Sequence, residues 1–432
     1  MNDLFIKRIR EYFPEDHEAF LSSLQEELTK GFFLNTLKAD RETILSVLDF
    51  PYEPSSLSED SFYHSEENIG KTKAYELGLI YPQEIAASLS SSCLKGRKAH
   101  LILDLCAAPG GKTINALNRL SSYDLAIAND ISHKRAQILS SNLERMGLDK
   151  TIVVSKKTEE LASLLEGQCD VVLLDAPCSG EGMIRKYPEI LETYSLSNIE
   201  ELASIQKGLL EDAYTALKGE GILIYSTCTY AFEEDEDQIL SFLERHPDME
   251  LIRQDFPFTH SKLEGTVKLC PLDHTEGQFF AVMKKQRTSD VRPLKLLKEE
   301  TSKKIRNLLS EEIGIEGLHL YKHKDTYYLS EVPLPDLGNG ILRQGIEAGT
   351  LKGDSFEFSH AFYRANTLKG RYRHVYELKE EEYRLYVGGQ ELPVKGDDGD
   401  YLIAYHGISL GQGRLRKGRM KNKYPKGLRR MI

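Results

Sequence analysis

Between residues 100 and 225 the chain alternates short, continuous apolar runs with amphipathic stretches, and this alternation restricts the fold more than any other feature. The apolar runs are 101–105, 125–128, 152–154, 171–174 and 222–225. Between them lie helical periods such as Ala136, Leu139, Leu143 and Met146, closed by Gly147 as a left-handed cap. A second period runs through Leu202, Ile205, Leu209, Ala213 and Leu217, with Gly219 beyond it. Strands that are apolar throughout need cover on both faces, so the pattern predicts an α/β domain with a parallel sheet over residues 96–286.

The flanks differ. Residues 1–95 predict an α+β extension, with Leu21, Leu24 and Leu28 on one helical face inside 5–30 and a strand at 32–38. A polar stretch at 287–304 marks a boundary, and 287–361 reads as a small mixed α/β segment. Residues 362–432 predict a β-rich module with tyrosine-rich strands at 371–378, 383–387 and 401–405, broken by Gly388-Gly389 and Asp397-Asp-Gly399. No apolar run approaches the roughly 20 residues of a bilayer span, so no membrane contact is expected. The six cysteines form no CxxC pair, which favours free thiols and a cytoplasmic location.

Strand 101–105 runs into Cys106-Ala-Ala-Pro-Gly-Gly-Lys-Thr113, a glycine-rich turn opening a helix. A phosphate loop would need glycine where Cys106 stands, and a dinucleotide turn needs G-x-G-x-x-G; neither is present. A nucleoside site without a pyrophosphate remains, with Asp130 ending the next strand where an acid can grip ribose hydroxyls. Two further strands end in Asp175-Ala-Pro-Cys178 and in Thr227-Cys228-Thr229. In a parallel sheet these loops converge on the glycine turn, bringing a carboxylate and two thiols to the cofactor. A thiolate beside a cofactor can activate an electron-poor ring by covalent addition. The residue types alone do not say which cysteine adds.

These three motifs resemble the RNA 5-methylcytosine methyltransferases, the NOL1/NOP2/Sun family. The resemblance implies a Rossmann-like, S-adenosylmethionine-dependent methyltransferase domain, with Cys106, Ala107, Ala108, Pro109, Gly110, Gly111, Lys112, Asp130, Arg135 and Asp175 at the cofactor. It implies Cys228 as the nucleophile, Cys178 as the group assisting release of the methylated RNA, and Asp175 holding the base. The helix after Cys228 is expected to lower its thiol pKa, and the acidic run 233–237 to satisfy that helix's N-terminus. No metal is expected, since neither cysteine has a close Cys or His partner.

The resemblance reaches further. Asn35-Thr-Leu-Lys38 matches an RNA-contacting element, with Phe33 where members carry arginine, so Lys38 is an expected RNA contact. Gly78-Leu-Ile-Tyr-Pro-Gln-Glu84 matches the lead-in to the domain. Arg185 and Lys186 match a basic segment that would touch phosphate beside a flipped base, although a solvated loop would carry the same pair. Lys156-Lys157-Thr158 departs from the family's third cofactor motif, leaving backbone groups to meet adenine. The C-terminal modules look like those of the bacterial branch acting on small-subunit (16S) ribosomal RNA, the last being PUA-like. Its tail, 413–432, holds nine Lys or Arg and no acid, and Arg414, Arg416, Lys417 and Arg419 are expected to contact RNA phosphates.

The net charge of −11 argues against nucleic acid only when averaged. Residues 364–432 carry 16 bases against 8 acids, whereas the first 363 carry 40 against 59. The activity that the resemblance implies, and that this charge split allows, is cytosine-5 methylation of 16S ribosomal RNA, free or within the 30S subunit, by a monomer. Its rivals are the same chemistry on transfer RNA and a non-catalytic ribosome-assembly factor.

Overall fold

The computed structural model describes residues 2–429 except 29, 255, 288–292 and 354. Part of the polar boundary expected at 287–304 and the last three residues of the basic tail lie outside the described residues. Five parallel strands form the centre: β1 (Lys98–Asp104), β2 (Ser122–Asn129), β3 (Thr151–Val154), β4 (Cys169–Asp175) and β5 (Leu217–Thr227), in spatial order β5-β4-β1-β2-β3. The order reverses between β1 and β4. Ligands bind outside the strand ends at such a reversal.

The strands bury both faces, as their apolar runs require: every residue of β3 and the last four of β1 are inaccessible. Helices α1 (Gly111–Arg119), α2 (His133–Met146), α3 (Leu196–Ala216) and α4 (Glu236–Arg245) follow β1, β2, β4 and β5 or the loops after them. Helix α2 ends at Gly147 with φ +73°, whose N–H donates to the Glu144 carbonyl at 2.9 Å. The buried line of α3 runs through Ile199, Gln206, Leu210 and Ala213, while Ile205 is exposed. Gln206 is drawn inward by polar partners in the site, which turns the helix off its apolar line.

Antiparallel strands complete both edges. Gln278–Lys285 pairs with β5 and is itself flanked by Met249–Leu251 and Val267–Leu269. On the opposite edge Ile341–Gln344 pairs with β3. The segment expected as a separate small domain therefore lends a strand to the main sheet. The rest of it, helix Lys303–Ile313 against strands His319–His323, Thr326–Ser330, Ile346–Lys352 and Ser355–Phe358, shares a core with Phe362, Tyr363, Leu368, Tyr372 and Leu402 of the segment that follows.

The N-terminal helices Asp3–Tyr12 and His17–Ser23 pack Phe5, Phe13 and Phe20 against Tyr194 and Tyr230 of the sheet's loops. A four-stranded antiparallel sheet follows, and its Phe32, Phe62 and Ile80 share one core with Tyr383, Tyr386 and Ile403 of the C-terminal module. That module is a five-stranded sheet, Val375–Glu377, Leu392–Pro393, Gly399–Tyr405, Ile408–Arg416 and Arg419–Asn422. The expected strand at 383–387 is instead the end of helix Glu380–Val387. Tyr383, Tyr386 and Val387 fall on one buried helical face, with the three-and-four spacing of a helix. Among the described residues no helix is long and apolar enough to cross a membrane.

Candidate active site

The loop after β1 is held by its neighbours. The Ala107 N–H donates to the Asn129 carbonyl at 2.7 Å, and Arg135 donates to the Ala108 carbonyl at 2.7 Å. Gly110 sits at φ +116°, and a Cβ at Gly111 would lie 2.9 Å from Gln83 Nε2, so neither position accepts a side chain freely. At the tip of β2 the buried Asp130 carboxylate accepts from the Ser132 N–H at 2.9 Å and lies 3.3 Å from Arg135. Asp104, at the tip of β1, accepts from Thr113 Oγ1 at 2.6 Å through one oxygen. Its other oxygen is buried without a partner, and burial pushes this carboxyl up to about 7. Lys112 donates to Asp175, which also accepts from Ser226 Oγ at 3.2 Å. Burial raises the Cys106 thiol, and the nearby charges of Asp104, Asp175 and Asp130 raise it further.

In the third motif Lys156 points away from any ligand role: its ammonium pairs with Glu160, and its N–H donates to Asn129 Oδ1 at 3.0 Å.

Cys178 and Cys228 lie with their sulfurs 3.4 Å apart, and the Cys228 N–H donates to Cys178 Sγ at 3.3 Å. The hydrogen bond from Cys178 lowers the pKa of Cys228, Lys112 adds to this, and burial and Asp175 oppose it. The Cys178 thiol is held well above the ordinary range by the same hydrogen bond and by burial. The two sulfurs are close enough to share a hydrogen bond, and that bond makes Cys228 the more acidic of the pair. The helix expected to activate Cys228 does not do so: α4 begins at Glu236, beyond a turn, and the neighbouring thiol takes that role.

The sequence reading missed what pins these loops. Glu234 accepts from the Ser179 N–H at 3.0 Å and from Gln206 Nε2 at 2.8 Å, while Ser179 and Thr229 hydroxyls meet at 2.7 Å. Glu181 accepts from the Tyr230 N–H at 2.9 Å, from Thr229 Oγ1 at 3.0 Å and from the Tyr194 hydroxyl. The Gly182 N–H donates to the Cys228 carbonyl at 2.9 Å. Asp235 and Glu236 ion-pair with buried Lys268 at 3.0 and 2.7 Å. The acidic run, expected to satisfy the helix N-terminus, is instead largely internal scaffolding, and Asp235 at the cap position makes no side-chain cap bond. The alternating polar residues Glu181, Thr229 and Glu234 around two cysteines were the available signal.

Two expected RNA contacts are corrected. Lys38 is buried, its ammonium donating to the Arg145 carbonyl at 3.2 Å, and burial depresses its pKa. The Arg185 side chain is only 4% exposed, and its guanidinium lies 3.5 Å from Glu276 and is bonded to the Glu26 and Glu27 carbonyls. Both cations serve internal partners distant in sequence. Lys186 is exposed beside the Tyr187 ring. Phe33, standing in for an arginine, lies beneath the Arg119 guanidinium at 5.5 Å. In the tail Arg416, Lys417 and Arg419 are exposed, and Arg414 lies 4.0 Å from Asp400. The one grouping of three potential metal ligands among the described residues, His260, Cys270 and Asp273, lies outside these loops, with His260 Nε2 3.2 Å from the Asp273 carboxylate.

Three family models match the chain: the 16S rRNA methyltransferase RsmB/F model over 91–284, the RsmF N-terminal domain over 1–85 and the RsmF PUA domain over 373–430. The chain belongs to the RsmB/F methyltransferase family. Relatives named ribosomal RNA small subunit methyltransferase F include that of Vibrio atlanticus, 29% identical over 98% of this chain and 96% of its own. The protein of that name in Salmonella paratyphi A is 28% identical over 99% and 96%. A methyltransferase homologue from Pyrococcus horikoshii shares the fold at TM-score 0.58 and 26% identity, over 66% of this chain and 95% of that one. NSun6 from the same organism, solved with SFG, shares it at TM-score 0.58 and 21% identity, over 65% and 97%.

The cofactor of an RsmB/F methyltransferase is S-adenosylmethionine. The crevice fits it: a buried Asp104 oxygen without a partner, the glycine turn, and carboxylates at the tips of β1, β2 and β4 suit a ligand that carries hydroxyls and positive charge.

Proposed function

We propose that this RsmB/F-family chain methylates carbon 5 of cytosine in 16S ribosomal RNA through a covalent bond between Cys228 and carbon 6. The observation that carries the reading is the pair of sulfurs 3.4 Å apart, with Cys228 the more acidic and Asp175 near it. Bound S-adenosylmethionine would supply an electrophilic methyl group on a sulfonium, held by the glycine turn, Asp130 and Asp175. Cys228 adds as thiolate to carbon 6, and the ring's π electrons shift to carbon 5, which becomes nucleophilic. Asp175 accepts from the cytosine amino group and holds the ring edge. After methylation carbon 5 gives its proton to water, the electron pair of that C–H bond re-forms the ring double bond, and the carbon 6–sulfur bond breaks with its pair left on Cys228 as thiolate. Cys178, in contact with the departing sulfur, supplies its hydrogen bond to the thiolate and so favours release.

The ribosomal substrate is the one printed in the relatives' names, and the basic C-terminal module suits an RNA partner. We take Arg414, Arg416, Lys417, Arg419 and Lys186 as phosphate contacts, and a single chain as the active unit. Bisulfite mapping of ribosomal and transfer RNA, with and without the gene, tests the substrate: loss of a 16S site supports it, and loss of a transfer-RNA site alone overturns it. Cys228→Ala is expected to abolish methyl transfer, and Cys178→Ala to accumulate a protein–RNA adduct on a denaturing gel. An adduct with Cys228→Ala instead would reverse the roles, and wild-type chain inactive on all RNA would leave the assembly-factor reading.

A further inference from the structure

Beyond the cofactor crevice, β3 ends at Val154, and the Ser155 N–H donates to the Gly340 carbonyl at 2.8 Å. Gly340 stands at the rim of a cavity of about 520 Å³. Its wall is the hairpin His319–His323/Thr326–Ser330, whose tip presents Lys322, His323 and Lys324, facing the loop Gly338-Asn339-Gly340. Lys298 also lines it, and Tyr328 lies half-buried in its side.

The charge here runs against the rest of the body. The first 363 residues carry 40 bases and 59 acids, yet the groove is lined by Lys298, Lys322, Lys324 and Arg343 against Asp336. Asp336 is already matched by Lys295 at 2.6 Å. Lys298, Lys322 and Lys324 form no ion pair among the described residues and are exposed, so their charge is available to a ligand. A positive concavity in a negative surface focuses potential and draws polyanions to one place.

Position supplies the second argument. Gly340 and Ile341, which line the groove, sit at the carboxyl end of β3, on the sheet edge that carries the cofactor turn and both cysteines. From β3 to β5 is four strand steps in the sheet order, about 19 Å at the usual spacing. A polyanion with one residue at Cys228 can reach it along the same edge.

We propose that this groove binds single-stranded RNA flanking the target base, its lysines meeting backbone phosphates and Tyr328 offering an aromatic face to a base. The proposal rests on the RNA reading above and adds a contact surface to it. Three exposed lysines and an aromatic wall are the features of sequence-tolerant single-strand sites.

The test compares full-length Lys322→Glu/Lys324→Glu with a control, Lys98→Glu/Lys207→Glu, that places the same charge change on exposed lysines elsewhere. Binding to a single-stranded oligouridylate is read as a function of salt, and methylation on ribosomal RNA. The groove variant is expected to bind oligouridylate at least about tenfold more weakly at low salt, with a shallower salt dependence by about 0.7 per lost phosphate contact, while the control binds as wild type. Equal affinity and equal salt slope for groove variant and wild type would overturn the proposal, as would equal weakening in the control. Preference of the groove for duplex RNA over oligouridylate would also overturn it. Failure of the wild-type chain to methylate any RNA speaks against the function and leaves the binding comparison standing.

Discussion

Cys178 and Cys228 form a pair in which one sulfur tunes the other, so removing the tuning partner should be visible without any substrate. In Cys178→Ala the midpoint for alkylation of Cys228 by iodoacetamide is expected to move to higher pH, because the bond that lowers its pKa is gone, and an unchanged midpoint would refute this. Peptide mass spectrometry of chain alkylated across a pH series measures this. Glu234 behaves oppositely. Burial pushes its carboxyl up to about 7, above its value in an unfolded chain. Its contribution to stability is therefore fully present below about pH 4.5 and is lost as pH rises through about 7. In Glu234→Gln the drop in stability between about pH 5 and about pH 8 is expected to shrink by about 1–3 kcal/mol, read from urea midpoints of both proteins. At this scale the motif residues were legible, because Asp104, Asp175, Cys178 and Cys228 each follow an apolar strand. Lys38 and Arg185 were not. Their burial depends on the Arg145 carbonyl and on Glu276, 107 and 91 positions away, which no local pattern records.

The loops that carry the cysteines are stapled to each other and to the turn before Gln278–Lys285. A Cβ on Gly182 would come within 2.5 Å of the Gly277 Cα, so these two backbones touch. Gly182→Ala should separate them at a cost of about 1–3 kcal/mol and reduce methyl transfer by more than the stability loss explains, checked by thermal melts beside tritium-transfer rates. Element type was readable where a segment was long and periodic, as in β1 to β5 and α2. It failed at Glu380–Val387, where eight residues hold two tyrosines three apart and the helix is selected by the core it faces. It also failed for the acidic run, since its partner Lys268 arrives from a strand more than 30 residues later.

Across the molecule the three outer parts are tied to the catalytic sheet rather than strung beside it. Arg364 donates to the Leu410 carbonyl at 3.0 Å, to the Glu76 carbonyl at 3.0 Å and to the Arg145 carbonyl at 2.6 Å, joining C-terminal module, N-terminal extension and α2. Arg364→Met should cost about 3 kcal/mol or more by stripping buried carbonyls of this donor, and should speed proteolytic release of the C-terminal module relative to wild type. The division into an acidic body and a basic end was visible in the charge count. The shared core of the first and last modules was not, because each segment supplies only half of it. The strand Ile341–Gln344 has a consequence for biosynthesis. During synthesis from the N-terminus, β3 is the open edge of the catalytic sheet until about 190 further residues have emerged, since its partner follows so late in the chain. A ribosome stalled before that point, or a gene cut after residue 286, would release a sheet with a bare apolar edge prone to self-association.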